Sequence, residues 1–214
     1  MIGTVFEQTS ESERESDGFI TGVAVGEVTD NRDPDGLGRV RVHLPWQEDD
    51  DATDWCRQAM SMAGKDRGLF VLPEVGDEVL VAAEKGDPSH LYVLGVLWNG
   101  ANKPPADNQD GANNTRVLKS RSGHTIRFND DESAPEIEVR LADGKRIALY
   151  RDGITVDDAQ NNAITISSSD STVTVSAGQE LVLRAPKVAI EASASMSLRS
   201  SGTLTMEGAV VRIN

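Results

Sequence analysis

At 214 residues the chain is long enough for one large domain or two small ones. Its 35 acidic against 21 basic side chains give a net charge of −14, so a nucleic-acid backbone would be repelled rather than held. An apolar fraction of 38% suits two thin modules better than one thick core, and 4 Phe, 3 Trp and 2 Tyr are too few for a platform that stacks single-stranded bases. The lone Cys56 excludes an intrachain disulfide framework and an all-cysteine zinc site.

Residues 1–17, ending in SESERESD, are polar and aperiodic and read as a mobile N-terminal arm. They lack the basic start and apolar core of a secretory signal, and no apolar run in the chain approaches the roughly 18 residues of a membrane helix. The expectation is a protein made in the cytoplasm that leaves it only inside a larger assembly. Residues 18–98 change to short β runs, FITGVAVGEV, GRVRVHLP, WCRQAMSM, GDEVLVAA and HLYVLGVLW, separated by Gly, Pro and Asp. In the second run Val40, Val42 and Leu44 alternate with Arg39, Arg41 and His43, one face dry and one wet. Five such strands in about 80 residues predict a small Greek-key barrel of the OB type, with a sandwich as the alternative. Residues 99–121 read as a linker, since 99–115 hold no aliphatic side chain larger than Ala.

From 122 to 214 the chain is a series of i, i+2 apolar pairs. Ile126 with Phe128, Ile137 with Val139 and Leu141, and Ile147 with Leu149 come first. Then follow Ile154 with Val156, Ile164 with Ile166, Val173 with Val175, Leu181 with Leu183, Val188 with Ile190, Met196 with Leu198, Leu204 with Met206, and Val211 with Ile213. Each pair describes a short strand with one dry face, and Gly, Pro or Asp-Gly corners fall between pairs. A lone chain winding about eight residues per face would enclose a very narrow column with few residues inside. Three identical chains around one axis would each supply a face at every level. The expectation is therefore an intertwined trimeric β-helix, with the pairs from Ile154 through Met206 forming the trimer core.

The combination is specific enough to resemble a known family. The strand pair D-P-x-G-x-G-R-V-x-V from Asp33 to Val42, the turn P-E-V-G-D-E-V-L from Pro73 to Leu80, the stretch Gly86 to Leu97, Ser122-Gly123-His124 and the octad repeat together resemble the central spike of contractile injection machines. That family includes baseplate assembly protein V of phages, the spikes of phage-tail-like particles and the VgrG proteins of type VI secretion. The resemblance implies a structural, non-enzymatic needle that pierces a target envelope when a sheath contracts. It would be part of the baseplate of a virion or injection particle and touch the target membrane only on firing. Larger relatives carry an N-terminal hub, which this sequence lacks, so a separate hub protein is expected at the OB end, facing Trp46 and Trp55. Some phage spikes insert a lysozyme domain where this chain has its linker, and others end in a His-x-His metal tip. The last histidine here is His124, so a separate PAAR-like tip protein is expected to dock on Gly208, Val210, Val211, Ile213 and Asn214.

No cofactor, metal or catalytic residue is assigned. The acidic cluster Glu48, Asp49, Asp50, Asp51 and Asp54 lacks the spacing of a calcium loop. His43, His90 and His124 show no ligand spacing, and Cys56 has no identifiable base. Trp46, Trp55 and Trp98 stand at strand ends, where core or trimer-interface packing outweighs ligand stacking. The Asp130–Asp131 pair invites a glycosidase reading but sits in a turn, where Asp is favoured for backbone reasons. The alternative function is a β-helical tail protein that binds or degrades surface polysaccharide. It would need aromatic platforms or paired acids, and no Phe, Tyr or Trp occurs from Gly153 to Asn214.

Overall fold

The computed structural model describes residues 20–48 and 52–213. The N-terminal arm, the acids Asp49 to Asp51 and Asn214 lie outside the described residues. The chain divides into two compact units at Gln109 and Asp110. The described residues contain strands and no helix, in keeping with the β-branched runs and period-2 alternation.

The first unit holds β1 (Val23–Asp30), β2 (Arg41–His43), β3 (Arg57–Gln58), the small hairpin β4 (Ala63–Gly64) and β5 (Arg67–Gly68), β6 (Glu78–Glu84) and β7 (Asp87–Leu97). Five of these form one sheet in the order β2-β1-β6-β7-β3, with only β3 and β7 parallel. Its two ends meet where Val40 and Cys56 exchange backbone hydrogen bonds of 3.1 and 2.7 Å, and Thr53 N–H donates to Val42 C=O at 2.9 Å. The closed loop of strands matches the OB expectation. Val28, Val40, Val42, Val79 and Val81 are fully buried inside it, with Leu44, Cys56, Leu91 and Val93 beside them. The predicted dry face of the second strand is thus the barrel core. Gly26 lies against this core, and a Cβ there would stand 2.8 Å from the His43 carbonyl oxygen and collide with Val42. Gly26→Ala is expected to cost about 1–3 kcal/mol through overpacking, read as a lower urea midpoint.

The D-P-x-G-x-G-R motif folds around Asp33. Its carboxylate accepts backbone N–H bonds from Asp35, Leu37 and Arg39 at 3.1, 2.9 and 3.2 Å and two guanidinium bonds from Arg39 at 2.7 and 2.9 Å. Gly36 and Gly38 turn the chain at φ of 67° and 71°, a left-handed conformation that a side chain would strain. The motif is therefore a turn lock. The Arg39 hydrogen bonds hold the Asp33 carboxyl far below the usual carboxylate range.

The second unit contains β8 (Thr115–Lys119), β9 (Thr125–Asn129), β10 (Glu136–Arg140), β11 (Arg146–Tyr150), β12 (Gly153–Asp157), β13 (Ala163–Ser167) and β14 (Thr172–Ser176). They form one antiparallel sheet in sequence order, each strand paired with the next. Two expectations change here. Residues 115–119, assigned by composition to the linker, form β8, because Thr115, Val117 and Leu118 suit a half-exposed edge strand. The intertwined arrangement expected from residue 122 gives way, through Ser176, to hairpins within one chain. Short turns keep each strand's nearest partner in its own chain, and closing a short loop costs little. From Ala177 to Ile213 no strand forms within the chain. The apolar pairs there begin at Leu181, Val188, Met196, Leu204 and Val211, steps of 7 or 8 residues.

Candidate functional site: an uncovered aliphatic face

The register of the second sheet places every apolar pair on one side. Ile137 lies opposite Phe128 and Leu149, and Val139 opposite Ile126 and Ile147. Ile154 faces Leu149 and Ile166, Val156 faces Ile147 and Ile164, and Val173 and Val175 continue the two rows beside Ile166 and Ile164. With strands about 4.8 Å apart, the rows run for roughly 24 Å across the six strands. Every one of these side chains is 37–69% exposed. Monomeric proteins rarely leave an apolar surface of this extent open. Beyond β14, Glu180 and Leu181 reach back beside Val139, Ile147, Val156 and Ile164 to line an apolar groove of about 600 Å³.

The opposite side is polar and cross-linked. Glu138, almost fully buried, accepts Arg140 bonds of 2.9 and 2.5 Å and has Arg146 at 3.8 Å. Arg127 pairs with Glu136, and Arg146 Nε donates to Asp157 at 2.7 Å. The Arg140 hydrogen bonds hold the Glu138 carboxyl below its ordinary range despite its burial. This lattice of ion pairs covers Glu138 and Ala148, so the sheet has one side closed by its own charged network and one aliphatic side left open.

Successive turns are also tied to one another. Ala142 N–H donates to His124 Nδ1 at 3.1 Å, Gly178 N–H to Asn162 Oδ1 at 2.9 Å, and Ser168 N–H to the Asp152 carbonyl at 2.8 Å. Such bonds brace the sheet against shear between hairpins. His124 is thereby a structural acceptor, while His90 bonds Asp87 at 2.9 Å. Asp131 caps its own turn through the Ser133 N–H at 2.8 Å and hydroxyl at 2.6 Å. Cys56 is buried beside the Thr53 hydroxyl at 3.2 Å, and burial pushes its thiol pKa up, the opposite of an activated nucleophile.

The residues expected in the trimer core divide into two sets. Ile154, Val156, Ile164, Ile166, Val173 and Val175 share the aliphatic face. Leu181, Leu183, Val188, Ile190, Met196, Leu198, Leu204 and Met206 are exposed on unpaired chain, as are Val210, Val211 and Ile213. Trp46 is exposed, whereas Trp55 is half-buried, with the Arg39 and Arg41 guanidinium groups 5.9 and 5.8 Å from its ring. Sequence reading missed the hairpin β4–β5 and the exposed residues after it. The available signal was the run LFVLP, more aliphatic than a connection needs.

Comparison with known proteins gives the site its context. Residues 24–98 match the family described as the type VI secretion system/phage-baseplate injector OB domain. The type VI secretion system spike protein VgrG1c of Pseudomonas aeruginosa is 30% identical over 131 residues, 58% of this chain and 17% of that protein. VgrG4b of the same organism is 35% identical over 133 residues, 57% of this chain and 16% of its own length. The actin cross-linking toxin VgrG1 of Vibrio cholerae is 28% identical over 118 residues, 53% of this chain and 11% of the toxin. The chain thus spans under a fifth of the length of these relatives. Residues 24–98 thus carry an injector OB domain, and over 57–58% of its length the chain is similar to VgrG spike proteins.

Proposed function

We propose that the protein is a structural spike of a contractile injection machine, three copies of which form a needle driven through a target envelope on sheath contraction. The observation that carries this reading is the uncovered aliphatic face of β9–β14, continued by apolar pairs on chain that finds no strand partner of its own. Three copies facing inward would cover each sheet's dry side and leave the charged lattice outside. Segments 177–213 of the three chains would then supply one another's missing ladders as a β-helix. A needle of this kind needs stiffness rather than catalysis, which paired edges, an aliphatic centre and braced turns supply.

In the same reading the OB unit meets a separate hub through the surface bearing Trp46 and Trp55, and a PAAR-like tip protein binds the exposed Val210, Val211 and Ile213. No cofactor, nucleic acid or enzymatic step is part of it, and the protein works within an assembled baseplate. Light scattering of the purified protein should give the mass of three 23.0 kDa chains, with high resistance to denaturant. A stable monomer at micromolar concentration would overturn the trimeric needle.

A further inference from the structure

The OB unit carries two exposed apolar patches that its own fold leaves unexplained. The first surrounds β4–β5. Phe70, 78% exposed, lies 3.7 Å from where a Cβ on Gly38 would stand, next to the exposed Leu37, and Leu69 N–H bonds the Met62 carbonyl at 2.9 Å. Leu37, Met62, Leu69, Phe70 and Val71 lie around this hairpin and its approach to Gly38, all at least half exposed. The hairpin tip beside it holds Lys65 and Arg67, neither in an ion pair with a described residue.

The second patch is the outer side of β1, β6 and β7. Directly paired residues share a side, so Val23, Ala82 and Tyr92 form one row and Val25, Leu80 and Gly95 the next. Gly95 has open space above it, so another surface can approach closely there. The row after it places Glu27 directly opposite Glu78, with His43 beside Glu27 on β2 and an Asn99 amide bond to Glu78 at 2.8 Å. Two carboxylates facing each other across a ladder are unfavourable, and an added cation between them is favourable.

We infer that these patches are the two halves of one head-to-tail contact between OB units, the Phe70 patch of one copy seating on the Val25 patch of the next with Lys65 and Arg67 against Glu27 and Glu78. The inference rests on the trimeric reading above and adds a second, independent zone of contact to it. A ring of three requires two different complementary surfaces per copy, whereas a twofold dimer requires one surface that matches itself. The two patches share no residue and both are apolar; one is edged by Lys65 and Arg67, with Asp66 between them, and the other by Glu27 and Glu78, with Arg57 5.8 Å from the Tyr92 ring. Copies already joined through their second units would present these patches to one another at high effective concentration, so even a weak contact would be occupied.

The test is crosslinking of the full chain with a short bis-maleimide, the native Cys56 being buried. The double variant V25C/F70C should give covalent trimers, while V25C and F70C alone should give only background. Adding K65E/R67E should lower the yield about tenfold, and E27K/E78K should restore it. Covalent dimers from F70C alone would show a self-matching contact and overturn the inference. So would absence of crosslinks in a protein that light scattering shows to be trimeric, and in that case the needle reading survives. A monomer by light scattering would end both.

Discussion

Ile164→Asp should abolish assembly of the needle. Ile164 stands in the middle of the aliphatic face, with Val156 and Val175 as its direct cross-strand neighbours. In a trimer the substitution places three carboxylates at one level of a dry column, each without a partner. Burying an unpaired charge costs several kcal/mol per chain, so the total is on the order of 10 kcal/mol per trimer. Ser169→Asp, in the exposed β13–β14 turn, should change stability by no more than about 0.5 kcal/mol. Mass by light scattering and the midpoint of guanidinium unfolding read both effects. Equal tolerance at the two positions would mean that the aliphatic face is not the trimer interior.

Removal of residues 208–214 should leave the trimer folded and eliminate binding of the PAAR-like tip protein. The sheet β8–β14 and the apolar pairs from Leu181 to Met206 lie upstream of the cut, so the larger part of the interchain contact is retained. What is lost is a cluster in which Val210 is 72% and Ile213 80% exposed, an apolar surface suited to a flat partner. Pull-down with purified tip protein, alongside light scattering of the shortened spike, separates the two consequences. A shortened trimer that still retained the tip protein would show that docking lies elsewhere.

Much of this architecture is legible in the sequence. Alternation at Val40, Val42 and Leu44 identified a half-dry strand, and these three are buried in the barrel. The apolar pairs from Ile126 to Val175 fell on six strands, because an i, i+2 pair in a β-branched setting has one compatible local geometry. The exposed hairpin β4–β5 was missed because two-residue strands of Ala, Gly and Arg have no alternation to detect. Strand β8 was missed because its neighbours in sequence are Asn, Gly and Pro, which dominate any composition window around it.

By itself the sequence determined the all-β class, pointed to an OB barrel over a sandwich, and placed each apolar pair on one face of its strand, since periodicity and turn chemistry act within a few residues. The tertiary structure decided what each strand pairs with. An apolar pair every seven to eleven residues is compatible with hairpins in one chain or with strands shared among three, and pairing depends on turn geometry and on distant edges. Through Ser176 consecutive runs pair as in-chain hairpins, and from Ala177 to Ile213 no run pairs within the chain. That difference, invisible to a tally of apolar pairs, divides the second unit into a self-paired sheet and a segment without in-chain strand partners.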